Sequence, residues 1–78
     1  SGEGMNYFET GAVKSITIYQ KNQKKGDYKE FYEDGKLKVE GQYKNDLKHG
    51  KWLYYDQNGT EVKSETFNRG RLMSSSEN

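Results

Sequence analysis

The chain has 78 residues, of which 13 are basic and 12 acidic, so its formal net charge is only +1. This balance gives no broad positive field and argues against nucleic acid as the main partner. A chain this short cannot bury a large central core, and it contains no Cys to staple one. Seven Tyr, three Phe and one Trp supply the missing apolar area.

Taken in chain order, the sequence predicts six β-strands between two polar tails. The tails, residues 1–4 and 74–78, are small and polar and show no pattern, so we expect them to fray. Alternation of apolar and polar residues, together with many Tyr, Val, Ile and Thr residues, favours strand over helix. The predicted strands cover residues 5–8, 13–20, 27–33, 36–44, 51–56 and 61–68.

Two kinds of turn separate these strands. Thr10-Gly11, Asp34-Gly35 and Asn58-Gly59 predict two-residue hairpin turns, because Asn, Asp and Gly accept the positive φ angles that such turns need. Residues 20–26 and 44–50 predict longer polar connections. Val62 comes one residue later than the alternation requires, which predicts a longer third turn or a bulge around residues 58–61.

The most informative pattern is a repeat of 24 residues. Gly26, Tyr28, Phe31 and Gly35 recur as Gly50, Trp52, Tyr55 and Gly59. The repeat predicts an all-β fold, an elongated antiparallel β-meander of repeated hairpins in a single-layer sheet, with stability roughly additive along the chain. The three repeats cover residues 5–25, 26–49 and 50–73, and together they form one array over residues 5–73.

The best-formed repeat carries a family resemblance. The stretch Gly50-x-Trp52-x-Tyr54-Tyr55-x-x-Asn58-Gly59, followed by Val62, Phe67 and Gly70, resembles the MORN-repeat variant found in bacteria. Residues 28–50 resemble a second copy with Tyr28 in the Trp position, and residues 7–26 resemble a shortened third copy. The resemblance implies a string of β-hairpins. Many bacterial proteins with such repeats are grouped as antitoxin or immunity components of toxin–antitoxin pairs, whereas eukaryotic MORN repeats are linked to phospholipid binding, membrane-associated scaffolding and dimerisation.

Candidate catalytic groups are sparse, so we predict no enzymatic activity, no cofactor and no metal. His49 is the only His, and no motif places a Ser beside a base. A metal needs several His, Cys or carboxylate ligands, and His49 has no second His or Cys to join it. Glu33 and Asp34 are adjacent carboxylates, but their place on a turn indicates solvated turn residues.

The repeated rings are the candidate partner-binding residues. Stacking of hairpin on hairpin accounts for most of them, and Tyr and Trp are also common in binding hot spots. Tyr54 and Tyr55 should point to opposite faces of their strand, and Glu40 and Glu65 are predicted on the face away from the main aromatic residues. The predicted partner-binding set is Tyr28, Phe31, Tyr32, Trp52, Tyr54 and Tyr55.

Charge is distributed by turn type. Basic residues fall at the predicted longer connections and acidic residues near the glycine turns, so the sheet should have one basic rim and one acidic rim. Such charges solubilise a sheet and protect its edges, and a basic rim can also steer an acidic protein or phosphate groups. The basic rim comprises Lys24, Lys25, Lys48, Lys51, Arg69 and Arg71.

These features favour a non-enzymatic protein-binding module, for which the resemblance implies a toxin as one kind of partner. The alternative is a phospholipid- or membrane-associated scaffold or dimerisation module, in which the basic rim meets anionic lipid. Exposed edges and rings also predict a homodimer. The sequence shows no apolar run of membrane-spanning length and no signal sequence, which favours a cytoplasmic location and leaves export open.

Overall fold

The computed structural model describes residues 2–78, which form one seven-stranded antiparallel sheet. Each strand pairs only with its neighbours along the chain, so the predicted all-β meander is confirmed. The molecule measures 35 × 33 × 13 Å, as expected for one layer of strands with its side chains. Residues 2–78 contain no helix long and apolar enough to cross a membrane. The strands are β1 (Gly2–Tyr7), β2 (Val13–Gln20), β3 (Gln23–Phe31), β4 (Leu37–Lys44), β5 (Leu47–Tyr55), β6 (Glu61–Asn68) and β7 (Arg71–Glu77).

The described residues of both predicted tails belong to the sheet, apart from the final Asn78, and the strand count is seven rather than six. Residues 2–4 pair with residues 17–19 of β2, and residues 74–77 pair with residues 63–66 of β6. An edge strand is held by backbone hydrogen bonds to a single neighbour, so small polar side chains suffice there. Composition therefore gave no signal for these two strands.

Two of the three tightest turns lie where longer connections were predicted, and the third leads into β7, which was not predicted. Both central residues of each turn have positive φ angles, which is the two-residue type I′ geometry that suits a twisted hairpin. Strands β3 and β5 consequently begin at Gln23 and Leu47, several residues earlier than predicted. Lys and Arg have no preference for positive φ, which hid two of these turns in the sequence. The tight turns are Lys21-Asn22, Asn45-Asp46 and Arg69-Gly70.

The glycine turns are three-residue loops rather than two-residue turns. The Tyr32 N–H donates to the Lys36 carbonyl at 2.8 Å, and the Gly35 N–H donates to the Tyr32 carbonyl at 2.9 Å. Gly35 has a φ angle of 92°, whereas Asp34 before it is not in the positive-φ region. This is the type I turn closed by a left-handed glycine and a bulge.

The three glycine loops are equivalent. Residues 8–12 and 56–60 make the same pair of backbone hydrogen bonds as residues 32–36. The register shift between Tyr54 and Tyr55, beside the third loop, also recurs beside the other two. The longer third turn is therefore absent, whereas the predicted alternative, a bulge, is present at Val62, which lies between the paired residues Glu61 and Lys63. The same bulge recurs in the other two hairpins, so the backbone is unchanged and only the side chain differs.

The sheet has one face rich in rings, called the aromatic face below, and an opposite face. Directly paired residues lie on the same face, so Trp52 shares its face with Glu65, and Tyr28 shares its face with Gly41. Glu65 was predicted on the opposite face. This prediction is wrong, because Glu65 lies on the aromatic face. Glu40 pairs with Leu53 on the opposite face, as expected. The aromatic face carries Tyr19, Tyr28, Tyr43, Trp52, Tyr54 and Phe67.

Candidate protein-binding face

The aromatic face is built around Trp52 of β5, whose ring lies over Gly41 of β4. A Cβ atom at Gly41 would overlap the indole ring, so only glycine leaves room for it. The indole N–H donates to the carbonyl of Gln42 at 3.1 Å. Trp52 is 2% exposed and is the one apolar side chain among residues 2–78 that is almost fully buried. Ring and glycine therefore form a single packing unit.

Three further rings surround Trp52. Tyr28 pairs with Gly41 from the other side and stacks on the indole at a centroid distance of 5.4 Å and an angle of 27°. Tyr43 and Phe67 meet the indole edge-on at 5.2 and 6.4 Å. Each such pair contributes about 0.5–1.5 kcal/mol beyond the area that it buries. Tyr28, Tyr43, Trp52 and Phe67 are called the aromatic cluster below.

Two carboxylates lie on the side of the cluster nearer the glycine loops, and both accept hydrogen bonds from tyrosine hydroxyls of the same chain. The Tyr28 hydroxyl donates to Glu30 at 2.9 Å, and the Tyr54 hydroxyl donates to Glu65 at 2.6 Å. The Tyr54 hydrogen bond is the main reason why the pKa of Glu65 lies below its usual value, and Lys63 adds to this effect. Burial and the same bond raise the pKa of Tyr54.

Two lysines lie on the side of the cluster nearer the tight turns. Lys24 Nζ is 4.9 Å from the centre of the Tyr43 ring. Lys48 Nζ is 4.7 Å from the Trp52 ring and 5.1 Å from the Phe67 ring. An ammonium group over a ring is held by about 0.5–1 kcal/mol when exposed. The aromatic face therefore has a basic margin and an internally satisfied acidic margin.

Comparison with known protein families identifies this architecture. Residues 24–45 and 48–68 match the family described as "MORN repeat variant", and the two segments fall on the β3–β4 and β5–β6 hairpins. The chain belongs to the MORN repeat variant family. A comparison with curated proteins gave no match. MORN repeats are non-catalytic modules that bind proteins or membranes.

The six predicted partner-binding rings lie in three places: on the aromatic face, on the opposite face and at the glycine-loop side of the sheet. Tyr28, Trp52 and Tyr54 lie together on the aromatic face, where Trp52 is buried and the other two are half-buried. Tyr55 lies on the opposite face, where its hydroxyl donates to Glu40 and its pKa is raised to about 12, chiefly by that bond.

The two remaining rings lie at the glycine-loop side of the sheet. Phe31 and Tyr32 line an open cleft of about 390 Å³ together with Phe8. The Tyr32 hydroxyl donates to the Tyr55 carbonyl at 2.7 Å, which ties one loop to the next MORN repeat. These rings join neighbouring repeats and lie outside the aromatic cluster.

The six residues of the predicted basic rim also lie in three different places. Lys24 and Lys48 lie over the aromatic cluster and are half-buried. Lys51 is exposed on the opposite face, where it pairs with Thr66. Lys25, Arg69 and Arg71 are exposed to solvent at the tight-turn side. Of the six residues, Lys24 and Lys48 are therefore the two that lie over the rings themselves.

Sequence reasoning did not identify the role of Gly41 beneath the indole ring, and it did not place Glu30 or Glu65 on this face. Gly41 could have been found, because a glycine at an inward position of an alternating strand indicates that a neighbouring ring lies over the backbone. The two carboxylates gave no such signal, since a Glu in a strand is usually assigned to the solvent side. Their partners, Tyr28 and Tyr54, become visible only in the fold.

Proposed function

We propose that this chain is a non-catalytic repeat module that binds a protein partner through its aromatic face. The observation that carries the proposal is a cluster of stacked rings on a sheet that no second layer covers within residues 2–78. The chain exposes 5437 Å², against about 4,900 Å² for a compact protein of its 9.1 kDa mass. The half-buried rings around Trp52 offer apolar area that a partner can cover.

The charges of the aromatic face favour a protein over a lipid surface. Anionic lipid surfaces attract clusters of about four or more free basic residues, whereas Lys38 and Lys63 of this face are already paired with Glu30 and Glu65. Most of the remaining rim residues point away from the rings. A phospholipid-associated scaffold is the second outcome of the test below.

The finer form of the proposal is that the partner is a toxin, which the chain neutralises by binding it. This form is supported by the resemblance of its repeats to those of bacterial antitoxin and immunity proteins. A repeat module can neutralise without chemistry of its own, because covering an active site or a partner surface is sufficient.

The test compares Tyr54→Ala with Tyr55→Ala. The two rings are adjacent on β5 and both half-buried, but they lie on opposite faces. Binding is measured by isothermal titration calorimetry against the product of the gene beside this one in the source genome. We expect Tyr54→Ala to weaken binding about tenfold or more, as truncation of a hot-spot ring does, and Tyr55→Ala to have little effect.

Thermal denaturation of both variants controls for folding. Equal losses of affinity in the two variants, or a larger loss in Tyr55→Ala, would contradict the assignment of the aromatic face. Co-sedimentation with phosphatidylserine vesicles and no binding to the neighbouring gene product would favour the lipid alternative.

A further inference from the structure

We infer that the aromatic face recognises an acidic helix of the partner, with two carboxylates of that helix bound by Lys24 and Lys48. This inference rests on the proposed function, because it specifies the partner of the same face. It concerns the chemistry of the partner and not its identity.

The first observation is that the lysines on or beside this face are of two kinds. Lys38 forms an ion pair with Glu30 at 3.6 Å, and Lys63 forms one with Glu65 at 3.5 Å. Lys24 and Lys48 have no carboxylate within ion-pair distance in the described part of the chain, and their ammonium groups lie over rings. The positive charge of Lys48 also lowers the pKa of Glu65, but from beyond ion-pair distance. Two positive charges at the cluster are therefore free to pair with a ligand.

The second observation is that the MORN repeat fixes the spacing of these two charges. Lys24 and Lys48 lie at equivalent positions, 24 residues apart in the chain, on β3 and β5. One strand, β4, separates them, which places them about 9.5 Å apart across the strands. Lys48 is in line with Gly26 through Tyr43, and Lys24 lies two residues, about 7 Å, further along β3, so the two backbones are about 12 Å apart. Residues i and i+7 of a helix lie on one face about 10.5 Å apart. A helix that crosses the strands obliquely, with Glu at i and i+7, therefore reaches both lysines, because the flexible lysine stems cover the difference of about 1.5 Å.

The third observation is the surface between the lysines. Tyr43 lies on β4, pairs directly with Lys48 and has Lys24 over its ring. Apolar residues at i+3 and i+4 of the same helix would rest on Tyr43 and on the exposed edge of the cluster. The binding pattern is therefore acidic, apolar, apolar, acidic along one helical face. A single free phosphate would satisfy neither the spacing nor the apolar contact.

Backbone hydrogen bonds at the tight-turn side of the sheet hold the backbones of Lys24 and Lys48 at a fixed spacing. The Asp46 N–H donates to the Lys24 carbonyl at 3.0 Å, and the Lys24 N–H donates to the Asp46 side chain at 2.7 Å. The Gly70 N–H donates in the same way to the Lys48 carbonyl at 2.8 Å. The backbone of each lysine is thus bonded to the turn of the next repeat. Only the flexible stems of the lysines need to move when a carboxylate replaces the ring as partner.

The experiment titrates the ¹⁵N-labelled chain with a synthetic helical peptide that carries Glu at i and i+7 and Leu at i+3 and i+4. The matched control peptide carries Gln at both acidic positions. The indole N–H of Trp52 reports binding at the cluster by NMR. We expect the Glu peptide to shift this resonance, with an affinity about tenfold or more above that of the Gln peptide and a decrease as salt is added.

Variants test the residues. Lys24→Gln and Lys48→Gln should each weaken the Glu peptide about five- to tenfold and leave the Gln peptide unchanged. Lys51→Gln, on the opposite face, is the matched control and should bind normally. Lys24→Gln and Lys48→Gln should each lower the melting temperature by only a few degrees, because an exposed contact between an ammonium group and a ring contributes only about 0.5–1 kcal/mol.

The possible failures are distinguishable. Equal affinity for the Glu and Gln peptides overturns the acidic-helix inference and leaves the proposed function standing, because the face still binds a protein segment. No shift with either peptide also overturns the inference, and the Tyr54→Ala and Tyr55→Ala comparison then decides the proposed function by itself. Binding of phosphatidylserine vesicles at the Trp52 resonance, without peptide binding, overturns the inference and counts against a protein partner.

Discussion

The middle and the first hairpins of the sheet both place a ring over a glycine, but with different results. In the middle, Trp52 covers Gly41 and is 2% exposed. At the first edge, Tyr19 covers Gly4, where an added Cβ would lie 2.6 Å from the ring, yet Tyr19 stays half-buried. The difference is the neighbourhood, since other rings pack against Trp52 from both sides. A one-layer sheet gains a core only where such contacts converge.

The position of the glycine explains why the core is central. Thr17 and Glu65 occupy the repeat positions that correspond to Gly41 in the flanking strands. A side chain there separates the rings of the two adjacent strands, whereas Gly41 lets Tyr28 and Trp52 stack across β4. The middle repeat is therefore expected to hold most of the stability, with the outer strands attached to it.

Removal of the Trp52 ring should give the largest loss of stability. We expect Trp52→Ala to lower the free energy of unfolding by about 3–5 kcal/mol, as the truncation of a buried aromatic residue does. A chain of this length has a total stability of about 4–12 kcal/mol, so most of the protein should unfold at moderate temperature. Tyr19→Ala, the matched change at the edge, should cost no more than about 2 kcal/mol. Urea denaturation monitored by circular dichroism measures both, and equal losses would show that the core is not central.

A single added methyl group sharpens the same comparison. Gly41→Ala places a Cβ into the indole ring, and overpacking of this kind costs about 1–3 kcal/mol. Gly4→Ala adds the same group beneath Tyr19, whose ring can move outward at the edge, so its cost should be smaller. Thermal melting of the two variants side by side is the measurement. A larger loss in Gly4→Ala than in Gly41→Ala would contradict the ring-and-glycine account.

The bond between Tyr54 and Glu65 gives a smaller, pH-dependent effect. Because the folded-state pKa of Glu65 is lowered, Glu65 contributes stability above its unfolded pKa and loses that contribution as the pH falls through its folded pKa. Tyr54→Phe removes the donor, so it should cost about 1 kcal/mol at neutral pH and less in acid. The Glu65 carboxyl should then titrate at higher pH by NMR.

Tyr55→Phe provides the control for this measurement. It removes the hydroxyl bonded to Glu40 on the opposite face and should leave the titration of Glu65 unchanged. If Glu65 titrated identically in the wild type and in Tyr54→Phe, the hydrogen bond would not be the main cause of its lowered pKa.

Self-association should give the smallest effect, and it arises from the outer regions. Edge strands β1 and β7 carry no Lys or Pro, and Leu72 and Met73 are more than half exposed. We expect a weak homodimer through these edges, seen as a melting temperature that rises modestly with protein concentration. Sedimentation equilibrium that fits a monomer throughout the high micromolar range would oppose this expectation.

Much of the architecture follows from the sequence. The spacing of Tyr28 and Trp52 predicted the repeat, and strand alternation predicted the antiparallel meander, because both depend on local patterns. The turn types could not be assigned in the same way. Asp34-Gly35 suits a two-residue turn by composition, yet the chain uses one extra residue and only the glycine adopts a positive φ angle. Strand twist and pairing decided between these options.

The candidate site was only partly predictable. Tyr54 and Tyr55 were expected on opposite faces, and the period of two residues in a strand was sufficient for this. Glu65 was placed on the wrong face, although it lies two residues before Phe67 and alternation along the strand puts both on the same face. Lys24 and Lys48 were predicted as rim charges, but their position over rings depends on rotamers and on cross-strand register, which composition does not contain.

The strictly sequential order of the strands has a consequence for the rate of folding. The most distant ladder partners, such as Gly26 and Tyr43, are only 17 residues apart in the chain. All-β proteins usually fold in milliseconds to seconds because their strand pairs close long loops, whereas an isolated hairpin forms in about 1–10 μs. This sheet needs no long loop closure, so it can grow by one hairpin at a time. We expect its strands to pair in the order in which a ribosome releases them, with the Trp52 hairpin converting a loose ribbon into a stable sheet.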